Sequence, residues 1–195
     1  MLVRILKVFR QSPPPTGAIK FKPMVLIRRL KQGEADLYKT IRREALKDSP
    51  EAFCATYVAA SRRSHESWVE QADGAAEGPD RAIFLAFDSA HPIAMAALYR
   101  DGMHGRTGEL LQMWVSPDYR GRRIAAELLD AVFEWASYNG FTEVRAAVTR
   151  TNQRALGFYL KYGFRREDEQ AVGDTVALRA VVEPSNRANI APLGD

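Results

Sequence analysis

Apolar positions along the chain recur with two spacings, and each predicts its own kind of element. Met24 to Leu30, Ile83 to Phe87, Ile93 to Tyr99 and Glu109 to Val115 read as strands, the last close to continuously apolar, as a buried strand should be. Val144, Ala146 and Val148 alternate and predict another strand. Phe164 to Gln170 and Asp174 to Val182 read as a closing pair. Helical spacing appears over Glu34 to Leu46, where Ala35, Tyr38, Ile41, Arg42 and Ala45 follow one another along the helix before Ser49-Pro50 breaks it. Pro50 to Ala60 and Arg62 to Ala72 predict a second helical region with a break or bend. Ile124, Leu128 and Val132 form a stripe with Ala125, Leu129, Phe133 and Ala136 beside it, the pattern of a long helix with a buried face. Ala155, Leu156, Tyr159 and Tyr162 recur at the same spacing, with Asn152 placed as N-cap and Gly163 placed to end the helix left-handed. Asp73 to Asp80 and the three-glycine stretch Asp101 to Gly108 read as loops.

Composition narrows the class. The chain has 195 residues and 46% apolar content, enough for one globular domain with a sizeable core. No apolar run is long enough to span a membrane, so no membrane partner is expected. The single cysteine, Cys54, excludes an intrachain disulfide, fits a reducing cytoplasm and reads as a small buried hydrophobe. His65, His91 and His104 lie far apart without metal-ligand spacing, so no metal is expected. The formal net charge of +4 belongs to residues 1–23, where Arg4, Lys7, Arg10, Lys20 and Lys22 have no acidic counterpart. The remainder is close to neutral, which argues against nucleic-acid binding. The chain therefore divides into a basic extension over 1–23 containing Pro13-Pro14-Pro15, a domain over 24–182, and a loose tail over 183–195.

The candidate chemistry gathers at two places. After the strand ending at Val115, Ser116-Pro117-Asp118 stops the sheet and Tyr119-Arg120-Gly121-Arg122-Arg123 opens the long helix. A basic, glycine-containing loop before a helix is an anion site: the first-turn N–H groups lack intrahelical partners and the helix dipole adds positive potential. The second place is TRTNQRALGFYLKYGF, Thr149 to Phe164. An R-x-x-x-x-A loop after a strand, then N-x-x-A-x-x-F-Y-x-x-x-G-F, resembles the GNAT superfamily of acetyl-CoA-dependent N-acetyltransferases over about residues 24–180. The loop departs from the usual R/Q-x-x-G-x-G/A, because Arg123 stands at the second glycine position. Its side chain either crowds a pyrophosphate or points outward and adds a bidentate guanidinium.

The resemblance implies an α/β (α+β) fold of the GNAT type, a twisted, mostly antiparallel mixed sheet of about seven strands with helices on both faces. It implies acetyl-CoA as donor, held by the backbone of Met113, Trp114 and Val115, by the loop Gly121, Arg122, Arg123, Ile124, Ala125 and Ala126, and by Asn152. Tyr159, seven residues after Asn152, would protonate the departing thiolate. Without the motif, Tyr159 reads as a core tyrosine and Asn152 as a simple cap. Phe53 and Tyr57, between the first two helices, are candidate acceptor contacts by the same likeness, and otherwise core residues. Glu109, eleven residues before Arg120, stands where histone-type members carry a glutamate base; otherwise it is a solvated strand-end carboxylate. Ribosomal-protein N-terminal acetylases carry a base five residues before the asparagine, and here that position is Ala147. The acceptor expected is a small-molecule or peptide amine, with a homodimer possible. The competing function is an acyl-CoA-binding module of the same fold that has lost catalysis.

Overall fold

The apolar segments assemble into one seven-stranded sheet with a helical layer on each face. In the computed structural model, residues 25–167 and 173–184 are described. The expectations for residues 1–23, for Met24 and for the tail from 185 onward lie outside the described residues.

The strands are β1 (Val25–Arg29), β2 (Arg81–Asp88), β3 (His91–Arg100), β4 (Thr107–Val115), β5 (Glu143–Thr149), β6 (Arg165–Arg166) and β7 (Thr175–Val181), in the spatial order β1-β2-β3-β4-β5-β7-β6. The helices are α1 (Ala35–Asp48), α2 (Tyr57–Ser61), α3 (His65–Ala76), α4 (Ile124–Tyr138) and α5 (Gln153–Tyr162). Among the described strands every neighbouring pair is antiparallel except β4–β5, which α4 joins as a crossover.

Alternation along β2 shows how the core is split. Ala82, Phe84 and Ala86 pack with α4, α5, β5 and β7, whereas Ile83, Leu85 and Phe87 pack with α1 and α3. Leu128, Leu129 and Val132 on α4 and Tyr38, Ile41 and Trp68 on α1 and α3 are fully buried.

Two features of β4 place the site. The first is a bulge: β3 spans Met95 to Ala97 where β4 spans Trp114 back to Leu111, so β4 carries one extra residue. Gln112 lies there in a left-handed conformation, φ 58°, and accepts a hydrogen bond from the Tyr38 hydroxyl at 3.0 Å. The second is a parting: β4 pairs with β5 only at Thr107, Gly108 and Glu109, against Glu143, Val144 and Arg145. From Leu110 and Ala146 onward the two strands face each other without a ladder. Gly108 sits at the apex of this wedge, where a Cβ would meet Leu98 Cδ1 at 2.9 Å and Phe141 Cδ1 at 3.0 Å.

Helix α4 begins on Arg123, itself left-handed at φ 65°, two residues after Gly121 at φ 82°. The glycine expected at position 123 therefore has a conformational reason, and the arginine there is strained.

Several expectations are corrected. Residues 50–60 do not form a helix throughout: a 3-10 turn over Pro50–Ala52 precedes an irregular stretch, and α2 starts at Tyr57, capped by Thr56. Helix α3 runs to Ala76, past the predicted loop start, because Gly74 gives room to Arg81, whose Nε donates to the Gly74 carbonyl at 2.8 Å. Strand β4 starts at Thr107 rather than Glu109, since Thr107 and Gly108 pair on both sides. Of the predicted strand 164–170 only Arg165 and Arg166 pair within the described residues. Cys54 is exposed rather than buried, in the irregular stretch before α2.

Two stability outcomes follow from these local geometries. Gly108→Ala overpacks the wedge apex and is expected to lower stability by about 1–3 kcal/mol in urea unfolding. Arg123→Gly relieves the left-handed strain and is expected to raise the melting temperature by about 2–4 °C, corresponding to ~1 kcal/mol.

Candidate active site

The wedge opens into a cavity of about 1060 Å³. Met113, Trp114 and Val115 form one wall, the loop from Tyr119 to Ala126 forms the floor, and Thr149, Thr151, Asn152 and one face of α5 form the opposite wall. Ser49, Glu51, Ala52 and Phe53 close one end.

The loop presents unused donors. Among the described residues the N–H groups of Gly121, Arg122, Arg123, Ile124 and Ala125 have no backbone acceptor, whereas Ala126 and Glu127 already bond the Arg123 carbonyl at 2.9 and 3.0 Å. Two left-handed residues flanking Arg122 bend the main chain into a concave row of amides at a helix N-terminus. Arg122 lies 5.0 Å from the Tyr119 ring centroid, and Tyr119 donates to Asp88 Oδ2 at 2.7 Å. Arg123 lines the cavity and leaves the row of amides open. Arg154 and Lys161 on α5 add two further cations to the lining. The loop can therefore hold a polyphosphate by backbone amides and flanking charge together.

A carboxylate fixes that loop to the rest of the site. Asp48, at the end of α1, accepts at Oδ2 from Trp114 Nε1 at 2.9 Å, from Ser49 Oγ at 2.7 Å and from Arg120 Nη2. Arg120 Nε in turn donates to the Val115 carbonyl at 2.9 Å. Burial pushes the Asp48 carboxyl up, but the hydrogen bonds from Ser49, Trp114 and Arg120 outweigh it and hold the group below its ordinary value. One carboxylate thus joins α1, β4 and the loop.

Tyr159 is 6% exposed and lines the cavity. Its ring packs on Phe158 and Phe164 at centroid distances of 5.3 and 5.1 Å. Burial alone raises its hydroxyl above the ordinary tyrosine range. No group among the described residues hydrogen-bonds that hydroxyl, unlike Tyr162, which donates to Asp130 Oδ1 at 2.8 Å. Asn152 caps α5, its Oδ1 accepting from the Ala155 N–H at 3.1 Å. The cap uses the oxygen and leaves the amide nitrogen for a ligand.

The structure therefore brings together Met113, Trp114, Val115, the residues from Gly121 to Ala126, Asn152, Tyr159 and Phe53. It does not bring Glu109 or Tyr57 to the same lining. Glu109 is exposed at the last paired position, opposite Tyr99 and Arg145, on the order of 10 Å along the strand from Met113. Tyr57 is 36% exposed on α2 and accepts from Arg43 Nη2 at 2.8 Å. Lining or junction residues that the sequence reading gave no site role include Asp48, Ser49, Glu51, Arg154, Lys161 and Phe158, the last present in the motif without a task. Arg154, Phe158 and Lys161 follow helical spacing on one face of α5, a signal that was available; the Asp48 junction joins residues 66 and 72 positions apart and left none. Among the described residues no group of three His, Cys, Asp or Glu side chains could hold a metal, and no helix is long and apolar enough to cross a membrane.

Comparison with known proteins agrees with this geometry. An uncharacterised N-acetyltransferase of Mycobacterium tuberculosis is 36% identical over 87 residues, 45% of this chain and 54% of the relative. One of Archaeoglobus fulgidus is 32% identical over 68 residues, 35% of this chain and 46% of the relative. The chain spans about half the length of the curated relatives it matches. Among solved structures, a GNAT acetyltransferase of Streptococcus pneumoniae superposes with a TM-score of 0.71 at 18% identity, covering 82% of this chain and 100% of that one. PaiA N-acetyltransferase of Thermoplasma acidophilum, in complex with coenzyme A, gives 0.69 at 22% identity, covering 81% and 99%. These likenesses carry the fold. The acetyltransferase (GNAT) family profile matches residues 39–164, most of the sheet and both helices of the cavity, and the chain belongs to that family.

Proposed function

We propose that this chain transfers an acetyl group from acetyl-CoA to a primary amine by direct attack, without a covalent enzyme intermediate. The observation that carries the reading is a single cavity that combines five unpartnered loop amides, two strand edges without a ladder and the unpartnered hydroxyl of Tyr159. The residues fit an acyl-CoA: amides from Gly121 to Ala125 suit a pyrophosphate, and the edge of β4 beyond the ladder, from Leu111 to Met113, suits an extended arm that pairs like an added strand, with the Val115 carbonyl already taken by Arg120. The bound donor supplies an activated thioester. The complex of the Thermoplasma relative with coenzyme A supports the same ligand class here.

Each residue then has a defined task. The Asp48–Arg120–Trp114 junction holds the loop and β4 in register, so the amides are preorganised. In the transfer the amine nitrogen bonds the acyl carbon, the carbon–sulfur bond breaks, Tyr159 gives its proton to the sulfur, and the proton that the nitrogen loses on becoming an amide returns through solvent to restore the tyrosine. A buried hydroxyl with a raised pKa stays protonated well into alkaline solution, which suits an acid. The acceptor must arrive as free amine. For an alkyl amine near pKa 10.4 that costs about 4–5 kcal/mol at pH 7. Because Glu109 lies outside the cavity, deprotonation passes to solvent in this reading.

The same fact about Glu109 favours the second reading, an acyl-CoA-binding module without turnover. Calorimetric titration with acetyl-CoA, followed by thiol release in the presence of amines, separates the two. Micromolar binding with thiol release is expected; binding with no release for any amine would establish the module, and no binding would overturn both.

Tyr159→Phe is expected to lower turnover about a hundredfold with acetyl-CoA affinity unchanged. Turnover per KM should rise with pH as free amine accumulates and show no decline through pH 9, since burial holds the hydroxyl above its ordinary range. A decline below pH 9 would point to a different acid. Glu109→Gln should leave the position of that profile in place; slower turnover at pH 7 that recovers at pH 9 would return the base role to Glu109.

A further inference from the structure

The seam between α1, α3 and the sheet holds a cation that no carboxylate among the described residues pairs. Arg42 is 7% exposed, the one charged side chain in the buried class among the described residues. Its Nη1 is buried and has no hydrogen-bond partner. Among the described residues, the groups whose charge or dipole acts on it are the hydroxyls of Tyr38 and Tyr99 and a second guanidinium, Arg63. Arg63 bonds only neutral groups, Ser67 and Gln71. By contrast Arg28, Arg100, Arg120 and Arg145 each have a carboxylate partner.

Donors with spare capacity lie next to Tyr38 and at Tyr99. Tyr38 donates to Gln112 Oε1, which leaves the amide nitrogen of Gln112. Gln71 donates to the Tyr99 hydroxyl at 2.9 Å, which leaves that hydroxyl's own proton. Gln112 is held at the β4 bulge in a left-handed conformation, an arrangement that a plain strand would avoid. A buried guanidinium without a counter-charge destabilises a fold, and packing over an aromatic ring offsets only part of that. The ring in question is Phe53, 4.4 Å from the Arg42 guanidinium carbon, and Phe53 lines the cavity that holds Tyr159. The unpaired cation therefore lies one ring away from the reaction space.

We propose that Arg42, with Tyr99 and Gln112, forms an anion subsite for the acceptor, so that preferred acceptors carry a carboxylate together with the amine. The subsite rests on the amine-acetylation reading and adds the substrate class. A guanidinium fork matches a planar carboxylate, and the two remaining donors complete its coordination. Phe53 separates this subsite from the cavity, so its ring sets how far the amine stands from the carboxylate.

The test compares acceptors of one skeleton with and without the carboxylate, with the two groups far enough apart to reach past the ring: 6-aminohexanoate against pentylamine, and lysine against cadaverine, by thiol release at saturating acetyl-CoA. The carboxylate member is expected to be favoured at least tenfold in kcat/KM. Arg42→Gln should erase the preference, bringing the ratio of the two acceptors' kcat/KM to about one, and leave acetyl-CoA affinity by calorimetry unchanged. A second readout does not need turnover. 6-Acetamidohexanoate added to the CoA complex should raise the melting temperature further in the wild type and not in Arg42→Met, a variant that removes an unpaired buried charge and should fold at least as stably. Equal use of both acceptors, a preference that survives Arg42→Gln, or equal thermal shifts in the two proteins would overturn the subsite. Failure of acetyl-CoA to bind at all would instead overturn the underlying acetyltransferase reading.

Discussion

The parting of β4 from β5 is the constraint on which the rest depends. A parallel pair normally hydrogen-bonds along its length, and unpaired backbone groups inside a protein are costly. Here the ladder stops after three registered pairs. The strands can separate because each is secured on its other edge, β4 by β3 and β5 by seven pairs with β7. The bulge at Gln112 bends β4 where the separation grows, and Gly108 permits the close approach of Leu98 and Phe141 at the apex. The resulting edges are polar and extended, a shape suited to an elongated ligand that pairs as a strand would.

Around this wedge the charges are arranged in two contrasting ways. Asp48 is over-supplied with donors, and its carboxyl stays ionised against the effect of burial. It works as a fastener, linking the end of α1 to β4 and to the loop before α4. Arg42, two turns earlier on the same helix, is under-supplied: buried, beside Arg63 and two tyrosines, with a donor left over. The first arrangement is what a structural ion pair looks like and the second is not, although both residues lie on α1.

Arg123 illustrates the difference between sequence identity and backbone chemistry. A phosphate-binding loop uses main-chain amides, so the side chain at a given position matters chiefly through the φ it permits. Arg123 adopts the left-handed angle that glycine would take freely, and the row of donors from Gly121 to Ala125 survives. The cost is local strain, and the gain is an added cation at the lip of the cavity.

Much of this was legible from local pattern. The strand, loop and helix around Leu110 to Ala136, the Asn152 cap and the Gly163 stop all depend on neighbours within one or two turns, and all are present. Local pattern was least reliable where distant packing decides: Gly74 stays helical because Arg81 fills the space beside it, and Thr107 joins a strand because β5 arrives to pair with it. The site divides in the same way. Motif spacing placed Asn152 and Tyr159 in one cavity with the loop, since a family's spacing encodes a shared geometry. It did not place Glu109, because position on a strand does not tell whether that part of the edge is still paired. The sequence by itself determined which segments are strand and helix, through periodicity and caps, and which backbone amides would be free. Only the tertiary structure decided that β4 and β5 part beyond Glu109, that Asp48 closes the junction across β4, and that Arg42 is buried without a counter-charge. Those outcomes depend on side chains dozens of residues apart, meeting only after the sheet has formed.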